Sequence, residues 1–120
     1  LLLGQAGNRD NAAIAELAAA AAAAKPDRVV IKELPTMLRG RQPGEVSALL
    51  DAGLRAAGYS SAAIAFEVDE VNAVRRLLDE ARAGDVVVLP VHQSKAREAA
   101  SALLDEMERA GWCAGQSLPR

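Results

Sequence analysis

The sequence has little of several residue types from which functional sites are commonly built. Its 120 residues include one cysteine, one histidine and one each of Phe, Tyr and Trp. One cysteine excludes a disulfide within the chain, and with one histidine it cannot supply the ligands of a multi-His/Cys metal site. So few aromatic residues argue against stacking on single-stranded nucleic acid, and the net charge of −2 argues against binding a phosphate backbone. We expect no nucleic-acid partner and no metal ligands.

Long apolar runs are missing as well. The polyalanine stretch at residues 18–24 is far shorter than the roughly 18 residues that span a bilayer. We therefore expect a soluble chain with no membrane partner, and the lone cysteine is typical of a reducing, cytoplasmic setting. With 120 residues, of which 51% are hydrophobic, the chain can form one domain with an aliphatic core.

The first ten residues (LLLGQAGNRD) predict a strand, a glycine turn and the start of a helix. The leucine run is typical of a strand buried on both faces of a parallel sheet, and Asn and Asp commonly cap a helix. Such a turn presents backbone N–H groups and the positive end of a helix dipole, which bind phosphate or carboxylate. A purely structural turn is the alternative. The predicted nucleotide- or anion-binding residues are Gly4, Gly7, Asn8, Arg9 and Asp10.

The rest of the chain alternates between strand and helix. Further strands are predicted at residues 28–33, 64–68 and 85–89, and helices at 11–24, 43–57, 70–83 and 95–110. We place Pro43 at the first position of the second helix. Asp69 and Ser94 are the expected N-caps of the third and fourth helices. The fold class is α/β: a Rossmann-like, three-layer parallel sheet (β-α-β-α-β-α-β-α, order 3-2-1-4) flanked by helices. Residues 1–111 form this domain, and 112–120 are a tail.

The predicted strand order brings three connections together. Ligands bind outside the carboxyl ends of parallel strands where the order reverses, here between the first and last strands. The turn 4–11, the long loop 34–42 and the loop 91–94 would therefore border one crevice. Arg39 and Arg41 in the long loop suit a carboxylate or phosphate, because a guanidinium can bind either one through two hydrogen bonds. The alternative for these arginines is an ion pair with Glu33 or Glu45 on a solvated loop.

Several motifs together resemble a known family. They are GNRD at residues 7–10, DRVVIKE at 27–33, RGRQPGE at 39–45 and AGDVVVL at 83–89. From residue 1 to about residue 110, the chain resembles the C-terminal domain of the Mur ligases, and most of all the cyanophycin synthetase branch. The short first strand and a first residue other than Met lead us to expect a fragment of a longer chain.

The resemblance implies a function in amide-bond formation. Ligases of this family use ATP to activate a carboxylate as an acyl phosphate, which an amino group then attacks. A separate central domain, the expected partner in the same protein, carries the P-loop and binds ATP and Mg. The present chain would bind an amino acid or peptide substrate and contribute no catalytic residue, and it could assemble as a homo-oligomer. Its predicted substrate-binding residues are Arg39, Arg41, Glu45, His92 and Ser94.

Two readings of function stay open at this point. The residues at 90–94 (PVHQS) lack the glycine-flanked loop of the murein-forming branch. Resemblance to the cyanophycin synthetase branch implies a small amino acid that is polar or cationic, such as arginine or aspartate. The alternative is a stand-alone ligand-binding or regulatory module, because one α/β fold hosts many functions. His92 is then an ordinary polar surface residue, and Arg9 with Asp10 form a helix cap and a surface ion pair.

Overall fold

Three short parallel strands form the centre of the fold. A computed structural model of the chain describes residues 1–120 and gives the sheet order β1-β2-β3. The strands are β1 (Leu2–Leu3), β2 (Val29–Lys32) and β3 (Ile64–Glu67). Leu2 lies opposite Val30, and Val29 lies opposite Ile64. Every residue of β2 is buried, as the run of β-branched residues predicts for the central strand of a parallel sheet.

Four helices connect and cover the strands. They are α1 (Asn11–Ala23), α2 (Glu45–Ala56), α3 (Glu70–Glu80) and α4 (Ser94–Arg109). Short 3-10 turns lie at Pro35–Met37 and Ser61–Ala63. The expected caps of α1 and α3 are confirmed, because a carboxylate oxygen of Asp10 accepts from the Ala13 N–H and one of Asp69 accepts from the Asn72 N–H.

Two predicted helix boundaries are wrong. Pro43 does not begin α2, because Gly44 adopts a left-handed backbone with φ of 83° that a helix cannot contain. The helix therefore begins two residues later than predicted, at Glu45. The third helix ends at Glu80 rather than near residue 83, because Ala81 is already extended.

The helices form one layer on each face of the sheet. On one face, α1 and α2 pack against Leu3, Val29 and Ile31, and on the other face α3 and α4 pack against Leu2 and Val30. The core is aliphatic throughout, as the composition predicts. The predicted three-layer α/β arrangement with a parallel sheet is confirmed.

The predicted fourth strand is wrong. Residues 85–89 are not a strand, so the sheet has three strands and not the order 3-2-1-4. One backbone hydrogen bond, from Leu2 N to Val88 O at 3.0 Å, joins the segment to β1, which is too short to offer a longer ladder. Val87 and Leu89 pack against the layer of α3 and α4, but no helix covers the other face, where Val86 is 87% exposed.

The last residues have no helix or strand but are attached to the domain. Trp112 and Leu118 pack against the layer of α3 and α4. The carbonyl oxygen of Pro119 accepts a hydrogen bond of 2.8 Å from Arg75 on α3. None of the helices combines the length and the apolar character that crossing a lipid bilayer requires.

Gly53 allows α1 and α2 to approach closely, which yields a first prediction. A Cβ at this position would lie 2.5 Å from Cβ of Ala18. Gly53→Ala should therefore lower the free energy of unfolding by about 1–3 kcal/mol through overpacking, although alanine is the better helix former. Urea denaturation followed by circular dichroism measures the change.

The control for this prediction is the double variant with Ala18→Gly. It removes the opposing methyl group, so the effect of Gly53→Ala should be smaller in the Ala18→Gly background than in the wild type. A stabilising effect of Gly53→Ala in the wild-type background would contradict the close approach.

Candidate functional site

Three connections meet at the carboxyl ends of the strands, where the sequence predicts a crevice. The turn after β1 contacts the loop after β2 through a hydrogen bond of 2.8 Å from Gly7 N to Met37 O. That loop contacts the segment before α4 through a hydrogen bond of 2.7 Å from Gln93 Nε2 to Thr36 Oγ1. The predicted meeting of the three connections is therefore confirmed, although the fourth strand that was expected to cause it is missing.

Gly7 is required by the close contact between the first two connections. A Cβ at this position would lie 1.9 Å from the carbonyl oxygen of Leu38. No side chain can be accommodated at that distance, so Gly7 serves backbone approach within the chain. The other predicted glycine, Gly4, is also buried.

Arg41 fastens the loop to the turn. Its guanidinium donates to Gly7 O at 3.0 Å, to Arg9 O at 2.7 Å and to a carboxylate oxygen of Glu45 at 3.3 Å. The side chain is only 16% exposed. All three guanidinium nitrogens are thus engaged within the chain, and the ion pair with Glu45 considered as an alternative is present.

Arg39 has a different environment two residues earlier. It is exposed, and no hydrogen bond or ion pair joins its guanidinium to another residue. Its backbone is left-handed, with φ of 52°. A non-glycine residue pays a modest energetic cost for that conformation, as does Lys25 after α1. The guanidinium of Arg39 is free to meet an anion from outside the chain.

The remaining predicted residues of the first turn lie at the start of α1. Asn8, Arg9 and Asp10 are all exposed. The carboxylate of Asp10 already accepts one of the free N–H groups at this helix end, from Ala13 at 2.8 Å. The negative charge of Asp10 also opposes the positive end of the helix dipole, which weakens this turn as an anion site.

A buried ion pair contacts the segment before α4, and the sequence does not predict it. Lys32 ends β2 with a fully buried side chain, and Glu70 begins α3 with a side chain that is 2% exposed. The ammonium group of Lys32 donates to a carboxylate oxygen of Glu70 and to Pro90 O, and it lies 3.0 Å from Nδ1 of His92. One lysine thus contacts α3 and the segment before α4.

The carboxylate of Glu70 completes this network. Its two oxygens accept the backbone N–H groups of His92 at 2.6 Å and Gln93 at 2.8 Å. Gly4 leaves room for the lysine, because a Cβ there would lie 2.6 Å from Cγ of Lys32. The one sequence signal for the pair is a lysine that directly follows three apolar strand residues, because a charged residue is unusual in a buried strand.

Burial and neighbouring charges shift the pKa values of Lys32, Glu70 and His92 away from their ordinary values. Burial lowers the pKa of Lys32, although Glu70 opposes this shift. Burial alone would raise the pKa of Glu70, but the hydrogen bonds from Lys32 and from the two backbone N–H groups outweigh it and lower that pKa. Burial and the charge of Lys32 lower the pKa of His92, which favours the neutral imidazole.

His92 and Ser94 lie at the start of α4. The His92 side chain is 30% exposed. Ser94 is not the N-cap that the sequence predicts, because α4 begins at Ser94 and Gln93 occupies the cap position without a side-chain hydrogen bond. The Ser94 hydroxyl instead accepts a hydrogen bond of 3.1 Å from Arg97, one turn along the helix.

Comparisons with known proteins add no assignment to this geometry. No family model, curated protein or solved structure matches the chain. No group of three or more His, Cys, Asp or Glu side chains is arranged to hold a metal ion. The contacts among the three connections and the side chains that they carry are the features that bear on function.

The buried pair yields a second prediction. Lys32→Met leaves the Glu70 carboxylate buried without its cation and should lower the free energy of unfolding by about 3–5 kcal/mol. The exposed pair of Arg55 with Asp51 provides a matched control, for which Arg55→Met should cost at most about 1 kcal/mol. Urea denaturation measures both. If Lys32→Met lowers the free energy of unfolding no more than the control variant does, the pair behaves like a solvent-exposed ion pair.

The pKa directions yield a third prediction, that the free energy of unfolding falls as the pH is lowered from 7. His92 has a folded pKa below its ordinary 6.5, so protons bind preferentially to the unfolded chain below that pH. Glu70 and Glu80 have folded pKa values below 4.5, so their contribution is present above that pH and is lost as the pH falls through the folded pKa.

The third prediction is checked by urea denaturation at a series of pH values. His92→Gln should flatten the dependence between pH 6.5 and 5 and leave the steeper loss below that range. A wild-type stability that rises as the pH falls from 6.5 to 5 would show that the imidazole is protonated in the folded chain.

Proposed function

We propose that the chain is the C-terminal, substrate-binding domain of a cytoplasmic ATP-dependent carboxylate–amine ligase that resembles the cyanophycin synthetase branch of the Mur ligases. One observation carries the proposal. Arg41, in the RGRQPGE motif, donates to the backbone of Gly7 and Arg9, in the GNRD motif. The two most specific motifs of the resemblance therefore form one structural unit. Arg41 lies 34 positions from Gly7 and 32 positions from Arg9 in the sequence.

The location of this unit supports a role in binding. It lies at the carboxyl ends of parallel strands, where α/β proteins bind their ligands. Arg41 braces the unit from within, and Arg39 presents a guanidinium with no partner in the chain. A guanidinium binds a carboxylate or phosphate through two parallel hydrogen bonds, so Arg39 would hold and orient an anionic group of the substrate.

The proposal leaves the activation step to another domain. ATP supplies the activation of the carboxylate, and its phosphates and Mg need a P-loop and acidic ligands. The side chains of this chain do not fit that requirement, because the sequence has no GxxxxGK[ST] loop and no acidic cluster suits a metal. The residues of this chain would bind and orient the amino acid or peptide substrate, of which a small polar or cationic amino acid such as arginine or aspartate is the proposed type.

The direct test of the proposal is the reading frame that encodes the chain. A P-loop and a magnesium-binding acidic residue upstream of Leu1 support the ligase. A start codon immediately upstream of Leu1 contradicts it and favours a stand-alone binding module. Purified as 120 residues, the chain should show no ATP hydrolysis above background.

The roles of the two arginines yield a fourth prediction. In the full-length ligase, Arg39→Ala should weaken substrate use by roughly ten- to a hundred-fold, the usual effect of losing a charged hydrogen bond. The melting temperature of the Arg39→Ala variant should change little, because alanine at position 39 keeps the same left-handed backbone. Arg41→Ala should lower the melting temperature, because it removes the bonds between loop and turn.

Amino-acid-stimulated release of ADP measures substrate use, and thermal unfolding measures stability. Arg55→Ala, on the exposed surface of α2, is the matched control and should change neither substrate use nor melting temperature appreciably. Unchanged kinetics for Arg39→Ala would contradict its proposed contact with an anion.

A further inference from the structure

The ammonium group of Lys32 fixes which nitrogen of His92 carries the proton. An ammonium group has three N–H donors and no acceptor. Two of its neighbours, the carboxylate of Glu70 and the carbonyl of Pro90, are acceptors, and the third is Nδ1 of His92 at 3.0 Å. Nδ1 must then offer its lone pair, so the proton of the neutral ring lies on Nε2.

The second ring nitrogen of His92 has no partner in this network. Nε2 of His92 makes no hydrogen bond within the chain, and the side chain is 30% exposed. The next residue, Gln93, contacts Thr36 of the loop that carries Arg39. The backbone of His92 is also held, because its N–H donates to Glu70 and its carbonyl accepts from Arg97.

From this geometry we infer that Lys32 is a positioning residue that holds His92 as a neutral Nε2–H donor, and that His92 donates to an oxygen of an anion that binds beside it. The inference rests on the proposed function for that anion, a carboxylate or phosphate. A neutral imidazole in this state donates one hydrogen bond without adding charge. Its role differs from that of Arg39, which supplies the positive charge.

The groups that face His92 all bear on its protonation. Lys32 lies against Nδ1 from β2, Glu70 lies 3.8 Å from the same nitrogen on α3, and Arg97 contacts the backbone from α4. Two of these three groups are cations. A second proton on the ring would lie between Nδ1 and the ammonium group, so the charge of Lys32 opposes it and favours the neutral ring.

The experiment uses NMR of the ring nitrogens, for which the chain is well suited because His92 is its only histidine. In the 120-residue chain, two-bond and three-bond nitrogen–proton correlations at pH 7 should show a proton on Nε2 and a hydrogen-bonded lone pair on Nδ1. A proton on Nδ1, or a positively charged ring at pH 7, would overturn the inference.

The positioning role is tested with the double variant Lys32→Met with Glu70→Gln, which removes both buried charges together. The pKa of His92 should rise toward its ordinary 6.5, because Nδ1 is free to take a proton. The same His92 pKa in the folded double variant and the wild type would overturn the role of Lys32. If the double variant does not fold, the tautomer of wild-type His92 tests the role of Lys32 instead. A proton on Nδ1 would overturn it.

The donor role is tested with inorganic phosphate and with aspartate as probes, and with sodium chloride as the control for ionic strength. One of the two probes should shift the Nε2 resonance of His92 in a saturable way, and His92→Ala should weaken its binding by about 3- to 10-fold. The probe that binds identifies the anion as phosphate or carboxylate. If neither probe shifts Nε2, the donor role is wrong, and the ligase proposal still stands or falls with the upstream reading frame.

Discussion

The buried ion pair between Lys32 and Glu70 is the interaction on which the position of the segment before α4 depends. Its two residues come from the end of β2 and the start of α3, and both side chains are almost completely withdrawn from solvent. Two charges in such a place need further hydrogen bonds to offset the loss of water. The backbone groups of Pro90, His92 and Gln93 supply them. An irregular stretch of chain therefore takes its position from a charge pair rather than from a sheet.

This arrangement explains how residues 85–89 are held without being a strand. The segment shares one backbone hydrogen bond with β1, and two of its valines are exposed on the uncovered face. Its ends are fixed by side chains instead. A carboxylate oxygen of Asp85 accepts from Arg82 N at 2.8 Å at one end, and Lys32 binds the Pro90 carbonyl at the other. The position of this segment is thus set largely by polar contacts, where a fourth strand would have used a ladder of backbone hydrogen bonds.

Much of the fold could be predicted because it depends on local patterns. The capping residues Asp10 and Asp69 and the β-branched run of β2 each act over a few residues, and the structure confirms them. The segment at 85–89 has the same apolar pattern, but strand pairing also needs a neighbour of sufficient length, and β1 has only two residues. The contact of Lys32 with Glu70 spans 38 residues, so no local pattern of charge reveals it.

The two arginines of the long loop show how backbone conformation separates residues that the sequence treats alike. Arg41 has carbonyl oxygens within reach of its guanidinium, so its donors are used inside the chain. No hydrogen bond or ion pair joins the Arg39 guanidinium to the rest of the chain. The first turn of α1 already holds the carboxylate of Asp10. The positive charge available to an anion at this edge of the sheet therefore comes from exposed arginines such as Arg39 and Arg9, and not from Arg41, whose donors are used within the chain.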